Sequence, residues 1–277
     1  MLWIIYSSYY DQVEDNSAKR MLQEALNHNI DAHLKFYQYF NLENGLTYKD
    51  EVVKELPNIV FMRCHDYDLC SYFESLNIKV INSLYTMKTC RDKWLTHQVV
   101  DKLNIKQPKT ILLNNNTFNT LIEEFTLPFV LKYRHGAQGN NIYVINTEEE
   151  FNSIINDIVK EDYIVQEYIN FSYGKDVRAY IIGNEIVGAC KRENENSFMS
   201  NLAQGGKSYH YELTQEEKEN ALKIAKALKG DIVSVDFLFT EDGLSFCEAN
   251  TNAGFASFNF LGYPMRKLMM EYIKKVS

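Results

Sequence analysis

Apolar and polar positions follow two rhythms in this chain, one of strands and one of helices, and the balance shifts along its length. Residues 1–6 are almost wholly apolar and read as a strand buried on both faces. Asp15, Asn16 and Ser17 offer caps for a helix. Ala18, Met21, Leu22, Ala25 and Leu26 then recur at the spacing of one buried helical face, and Asn29 ends the pattern. Apolar runs at 32–36, 59–62 and 79–81 predict three further strands, with a helix near 68–76. Strands alternating with helices predict an open parallel sheet.

The next stretch mixes the two rhythms. It predicts a helix at 92–103, a strand at 109–112, a helix at 117–125, and strands at 129–133 and 141–145. Phe151, Ile154, Ile155, Ile158 and Val159 form the stripe of another helix. The last third is strand-rich, with β character at 163–169, 176–182 and 185–192; Gly183 and Asn184 make a two-residue turn between the last two. A helix at 215–228, strands at 232–240 and 244–248, and a helix at 264–274 complete the chain. The fold class predicted is mixed α/β and α+β, divided at 1–88, 89–165 and 166–277.

Composition narrows the function more than the fold. A net charge of -8 makes nucleic acid and anionic membranes poor bulk partners. Five cysteines with no CxxC pair suit neither a disulfide framework nor a zinc site, and point to a reducing cytoplasm. The start of the chain lacks a basic signal-peptide region, and no apolar run reaches the roughly 18 residues of a membrane span. The six histidines show neither HxH nor HExxH spacing.

Three constellations carry chemistry. In the last hairpin, a three-residue loop at 241–243 with Gly243 in the left-handed position sets Asp236 opposite Glu248, with Asn250 further along the same face. Opposed carboxylates destabilise a bare hairpin, and a hard cation such as Mg²⁺ removes that penalty. The alternative is a solvated polar face in another register. The second constellation is Lys132, inside an apolar strand, followed by the Gly- and Asn-rich loop HGAQGNN at 135–141. Backbone N–H groups of such a loop can close over phosphates, although the pattern is not a Walker A motif; the alternative is an ordinary hairpin. The third is Asp176 and Arg178 on one strand face, Lys191 and Arg192 on the partner strand, and FMSN at 198–201 followed by Gly205 and Gly206. A pocket of both signs could hold ribose and phosphoryl groups, or the residues could be salt-bridged edge strands.

In order and spacing these pieces resemble the ATP-grasp superfamily, and within it the RimK-like amino-acid ligase branch. The resemblance rests on VINS at 80–83, CRDK at 90–93, Lys132 with GAQG at 136–139, VQEYI at 165–169, DVR at 176–178, FMSNL at 198–202, Val235 with Asp236, and EAN at 248–250. It covers residues 60–277 and, more loosely, the first strand and helix. It implies an ATP-grasp fold: an N-terminal parallel-sheet (pre-ATP-grasp) domain at 1–88, a central subdomain with the phosphate lid at 89–165, and a C-terminal subdomain with the metal site at 166–277.

The same resemblance implies roles. Lys93 and Lys132 would contact ATP phosphates, with Gln138 and Gly139 in the lid over them. Glu167 and Tyr168 would read the adenine edge. Asp176 would lie near the ribose, with Arg178 beside it. Arg192, Ser200 and Asn201 would face the γ-phosphate and an acyl phosphate. Asp236, Glu248 and Asn250 would hold Mg²⁺ or Mn²⁺, with Glu248 bridging two ions. The implied reaction joins a carboxylate to an amine on an amino acid, peptide or peptide-like metabolite, releasing ADP and phosphate. Homodimers and homotetramers are common in the branch. The alternatives are an ATP-grasp kinase that stops at a phosphorylated product and a non-catalytic nucleotide-binding protein. Two departures bear on the substrate. Met199 stands where the branch usually has a basic residue, and the apolar, aromatic stretch at 251–258 suggests a less charged or larger acceptor, the alternative being that it packs the C-terminal helix.

Overall fold

The computed structural model describes residues 1–12, 16–136, 139–195, 197–198, 200 and 205–277. The first sheet is parallel. It contains β1 (Leu2–Tyr6), β2 (Ala32–Phe36), β6 (Ile59–Met62) and β7 (Lys79–Ile81) in the order β2-β1-β6-β7, with a ribbon of β3 (Phe40–Asn41), β4 (Thr47–Tyr48) and β5 (Glu51–Val52) inserted between β2 and β6. All five residues of β1 are buried, as expected for an apolar strand covered on both sides. Helix α1 (Ser17–Asn27) is capped by Asn16, whose Oδ1 accepts from the N–H groups of Ala18 and Lys19 at 2.8 and 3.0 Å. Asp15, another cap candidate, lies outside the described residues. Helix α2 (Tyr67–Ser75) begins at an Asp66 cap.

An unexpected helix, α3 (Leu84–Arg91), precedes the helix expected at 92–103, which is α4 (Lys93–Asp101); the two meet at Asp92, which takes an extended conformation. α3 has no apolar stripe to announce it, because Thr86 and Thr89 share its buried face with Met87 and Cys90.

The second sheet is antiparallel, in the order β10-β9-β11-β8, from β8 (Thr110–Leu112), β9 (Phe129–Tyr133), β10 (Ile142–Ile145) and β11 (Tyr163–Glu167). It is covered by α5 (Phe118–Glu124) and α6 (Glu148–Ile155). α6 starts before the stripe predicted at 151–159 because Thr147 caps it.

The third sheet is antiparallel, order β14-β13-β12-β15-β16. Its strands are β12 (Lys175–Ile182), β13 (Glu185–Glu193), β14 (Lys207–His210), β15 (Ile232–Thr240) and β16 (Gly243–Asn250). One face, with Val177, Ala179, Val235 and Phe237, packs on α7 (Gln215–Ala227). The opposite face changes character along its length. At one end Tyr180, Ile182 and Ile232 join a core with β1, α1 and the terminal helices α8 (Ala256–Phe260) and α9 (Met265–Val276). Toward the other end the same face carries Asp176, Arg178, Arg192 and Asp236. Asn82 ties the first sheet to the third: its Nδ2 donates to Ile232 O at 2.7 Å, and its Oδ1 accepts from Asp231 N and Ile232 N at 2.8 and 2.9 Å. No helix among the described residues is long and apolar enough to cross a membrane.

Candidate active site

The polar end of the third sheet is built by register. Asp236 faces Glu248 across β15 and β16, as the sequence predicts, but by a different route. Thr240 pairs with Gly243, so the turn is the two residues Glu241 and Asp242 rather than three, and an extra residue at Cys247 restores the offset. Asp176 faces Arg192, and Arg178 faces Asp236, on neighbouring strands. β12 has partners on both sides, so the edge-strand reading does not hold.

Four of these charges form one chain. Arg178 donates from Nε and Nη2 to the two oxygens of Asp236 at 2.7 and 2.5 Å. Arg192 holds Asp176 in the same forked way at 2.7 and 2.5 Å, and its Nη2 also reaches Asp236 at 2.9 Å. The two cations and two anions cancel, which lets Asp236 be buried to 1% exposure. Burial alone would oppose its ionisation, but Arg178 and Arg192 outweigh that and hold its carboxyl below the usual carboxylate range.

Two lysines approach from the other elements. Lys93, the first residue of α4, is positioned by its neighbour: Asp92 caps the helix and is ion-paired to Arg134 at the end of β9. The Lys93 Nζ donates to Gly136 O at 2.8 Å and stands 3.9 Å from Glu248 Oε2. Burial pulls its pKa down; Glu248 opposes this and Lys132 adds to it. Lys132 projects from β9 and donates to Gln166 Oε1 at 2.5 Å. Gln166 on β11 is buried and was not singled out from the sequence, although a lone amide inside the apolar run of a strand was a usable signal. Its Nε2 meets Thr110 Oγ1 and His97 Nε2, each at 2.9 Å. His97 in turn meets Gln107 Oε1 through Nδ1 at 2.8 Å. Burial, with Lys132 and Lys93 nearby, lowers the His97 pKa to about 4. The ring is therefore neutral, with the proton on Nδ1 donated to Gln107 and Nε2 accepting from Gln166. This chain fixes the Gln166 amide with its oxygen toward Lys132.

These groups line two adjoining cavities. The first, about 120 Å³, is walled by Lys93, Lys132, Gly139, Glu167, Tyr168, Asp176, Ser200 and Asp236, with apolar sides from Val130, Ile142 and Leu238. The second, about 550 Å³, is lined by Arg63, Arg91, Arg178, Asn250 and the stretch from Thr251 to Gly254. Lys93, Arg192, Cys247 and Glu248 belong to both and form the wall between them. Gln138, Met199 and Asn201 lie outside the described residues. The aromatic side chains of 251–258 require a correction: Phe255 and Phe258 are buried in the core with α9, not turned to a ligand. The second cavity instead combines the guanidinium groups of Arg63, Arg91, Arg178 and Arg192 with small apolar residues such as Ala249, Ala253 and Ala256.

The oxygen donors of the hairpin fit a hard cation. Glu248 has a third of its side chain exposed, and Asn250 Nδ2 donates to Glu248 Oε1 at 3.2 Å, which turns both toward one place. A carboxylate and an amide oxygen beside open space fit Mg²⁺, which keeps water and phosphate among its ligands. Asp236 has both oxygens engaged by arginine, so it joins the set only as Arg178 or Arg192 yields one. Among the described residues no three His, Cys, Asp or Glu side chains cluster as a metal site; two carboxylates and an amide make up this one.

Comparison with known proteins identifies the family and the fold. A family model described as the RimK-like ATP-grasp domain matches residues 90–273. An uncharacterised protein of Mycoplasma genitalium is 26% identical and covers 90% of this chain and 91% of its own. A probable alpha-L-glutamate ligase of Parasynechococcus marenigrum is 28% identical over 79% of this chain, which spans 48% of that protein's length. Among solved structures, the ATP-grasp ligase PsnB complexed with a minimal precursor superposes with a TM-score of 0.77 at 13% identity, covering 100% of this chain and 99% of that one.

Proposed function

We infer the reaction from a plain premise: the chain belongs to the RimK-like ATP-grasp family of ATP-dependent carbon–nitrogen ligases. The proposed activity joins a carboxylate to an amine through an acyl phosphate, on an amino acid or peptide. One observation carries it. Lys93, Arg192 and Glu248 form the common wall of a smaller cavity with an apolar side and a larger basic one. ATP in the first would present its γ-phosphate at that wall to a carboxylate in the second.

The residues then have assignable work. The backbone at Glu167 and Tyr168, with Val130, Ile142 and Leu238, receives the adenine. Lys132, held by Gln166, and Lys93 meet the phosphates, with Gly139 beside them. Asp176, its oxygens accepting from Arg192, keeps that guanidinium aimed at the wall, where Ser200 also lines the smaller cavity. In the first step a carboxylate oxygen bonds to the γ-phosphorus as its bond to the ADP oxygen breaks. In the second the amine nitrogen bonds to the acyl carbon, phosphate leaves, and the amine proton departs with it. No protein nucleophile is needed; positioning and charge neutralisation do the work. Glu248 and Asn250, with Asp236 once released, would hold Mg²⁺, or two such ions, which neutralise phosphate charge when bound.

The test is ADP release from ATP and Mg²⁺ across a panel of amino acids and short peptides, followed by product mass. The ligase reading expects release only with both a carboxylate and an amine, and a product heavier by the amine minus water. ADP release with a carboxylate alone and a stable phosphorylated product would make the protein a kinase instead.

A further inference from the structure

Gln166, the partner of Lys132, is held from behind by a hydrogen-bonded chain that leaves the smaller cavity. A glutamine amide has a donor end and an acceptor end of nearly equal size, so turning it over hardly changes its packing and reverses what it offers. Lys132 Nζ only donates, and it meets Gln166 Oε1 at 2.5 Å. Turned over, the amide would set N–H groups against the ammonium. Its Nε2 is shared between Thr110 Oγ1 and His97 Nε2, each at 2.9 Å. Thr110 is an adaptable stop, because a hydroxyl can rotate to donate or accept; here it donates to Pro108 O at 2.9 Å.

His97 is a fixed stop. Its Nδ1 lies 2.8 Å from Gln107 Oε1. The Gln107 amide is itself oriented, because its Nε2 donates to His97 O at 3.2 Å and to Asp101 Oδ1 at 3.5 Å, and a carbonyl and a carboxylate only accept. Gln107 therefore presents oxygen to Nδ1 and requires a proton there, which leaves Nε2 to accept from Gln166. The ring stands edge-on to Phe246, with centroids 5.2 Å apart. The Cys247 carbonyl is a further acceptor near the ring, but a proton placed on Nε2 would meet Gln166 donor to donor. Each polarity from the main-chain carbonyl of His97 to Lys132 is thus set in one direction. Neither His97 nor Gln107 lines either cavity.

We propose that His97 and Gln107 are positioning residues for ATP: by keeping the ring proton on Nδ1 they hold the Gln166 amide oxygen toward Lys132, and so hold the ammonium where a phosphate binds. This rests on the reading of the smaller cavity as the ATP site. Their effect on nucleotide affinity passes through Lys132, so it disappears when Lys132 is gone. A merely structural role would weaken binding whether or not the lysine is present.

Two measurements on the full chain test this. In the isotope-labelled wild type, nitrogen NMR of the His97 imidazole is expected to show the neutral ring with its proton on Nδ1; a proton on Nε2 overturns the inference without any variant. Displacement of a fluorescent ATP analogue by ATP with Mg²⁺ then reads affinity. His97→Phe keeps a ring and removes both nitrogens, and it is expected to weaken ATP about tenfold, the worth of one charge-assisted contact. His97→Gln, whose amide oxygen can stand where Nε2 stood, should restore most of the loss. Gln107→Met, in the wall of a separate surface cavity, should weaken ATP in the same direction and carries the test if the ring cannot be replaced. In a Lys132→Met background, His97→Phe should change affinity by less than about twofold. Unaltered affinity in His97→Phe and Gln107→Met, or an equal loss with Lys132 absent, overturns the inference and leaves the ligase reading standing. Wild-type ATP affinity in Lys132→Met removes the lysine from the ATP site and the inference with it.

Discussion

Asp236 and Glu248 face each other on one hairpin, yet their surroundings divide their roles. Glu248 is partly exposed and makes no forked ion pair, so Glu248→Ala should abolish ADP formation while changing unfolding free energy by no more than about 0.5 kcal/mol. Wild-type turnover in that variant would remove the metal assignment. Asp236 is the shared anion of two buried guanidinium groups, so Asp236→Ala should destabilise the fold by about 3–5 kcal/mol in urea. His97 sets a pH dependence. Its folded pKa of about 4 lies below the unfolded value, so the unfolded chain binds more protons between pH 6.5 and 4. The stability of this neutral histidine is complete above pH 6.5 and is lost as pH falls toward 4. His97→Gln should flatten the acid limb of the stability curve by roughly 3 kcal/mol; an unchanged limb would place the titration elsewhere. Residues of this kind differ in legibility. Lys132 and Asp236 were visible as charges inside apolar strands. Gln166 left a local trace, as a lone amide in an apolar run, whereas its bond to His97 joins residues 69 apart, which no local pattern carries.

At the scale of elements, long apolar runs named their strands, and caps named their helices. β14 escaped because Lys207, Ser208, Tyr209 and His210 bury only Ser208. α8 escaped because an aromatic stretch reads equally as core or as ligand contact. The hairpin of β15 and β16 was right in its pairing and wrong in its turn, since a loop residue and a bulge residue shift register alike. Asn82 shows how elements are joined. Asn82→Ala removes four hydrogen bonds and leaves the backbone of Asp231 and Ile232 unsatisfied, so a loss of about 2–4 kcal/mol is expected. Calorimetry should show one lower transition; an unchanged Tm would mean that water replaces the amide.

For the molecule as a whole, the family match at 90–273 invites expression of that region alone. The core argues against it. Leu2, Ile4, Phe61 and Ile81 share one cluster with Tyr180, Ile232, Met269 and Ile273, so a chain of 89–277 would expose the apolar half of that face. It should be insoluble or bind a hydrophobic dye with no cooperative unfolding, and a well-behaved two-state fragment would show that the core is separable. The order of motifs made the architecture legible from sequence; the dependence of the last third on the first was not, because packing between distant segments leaves no periodicity.

The wall formed by Lys93, Arg192, Cys247 and Glu248 is a single layer of side chains. Compartments so thinly divided can be occupied by one compound. An adenosine phosphate tethered to a small anionic amino-acid mimic would cross the partition, and its affinity should exceed that of either half, because anchoring one end raises the local concentration of the other. Such a chimeric inhibitor would be a handle on the protein before either natural substrate is identified.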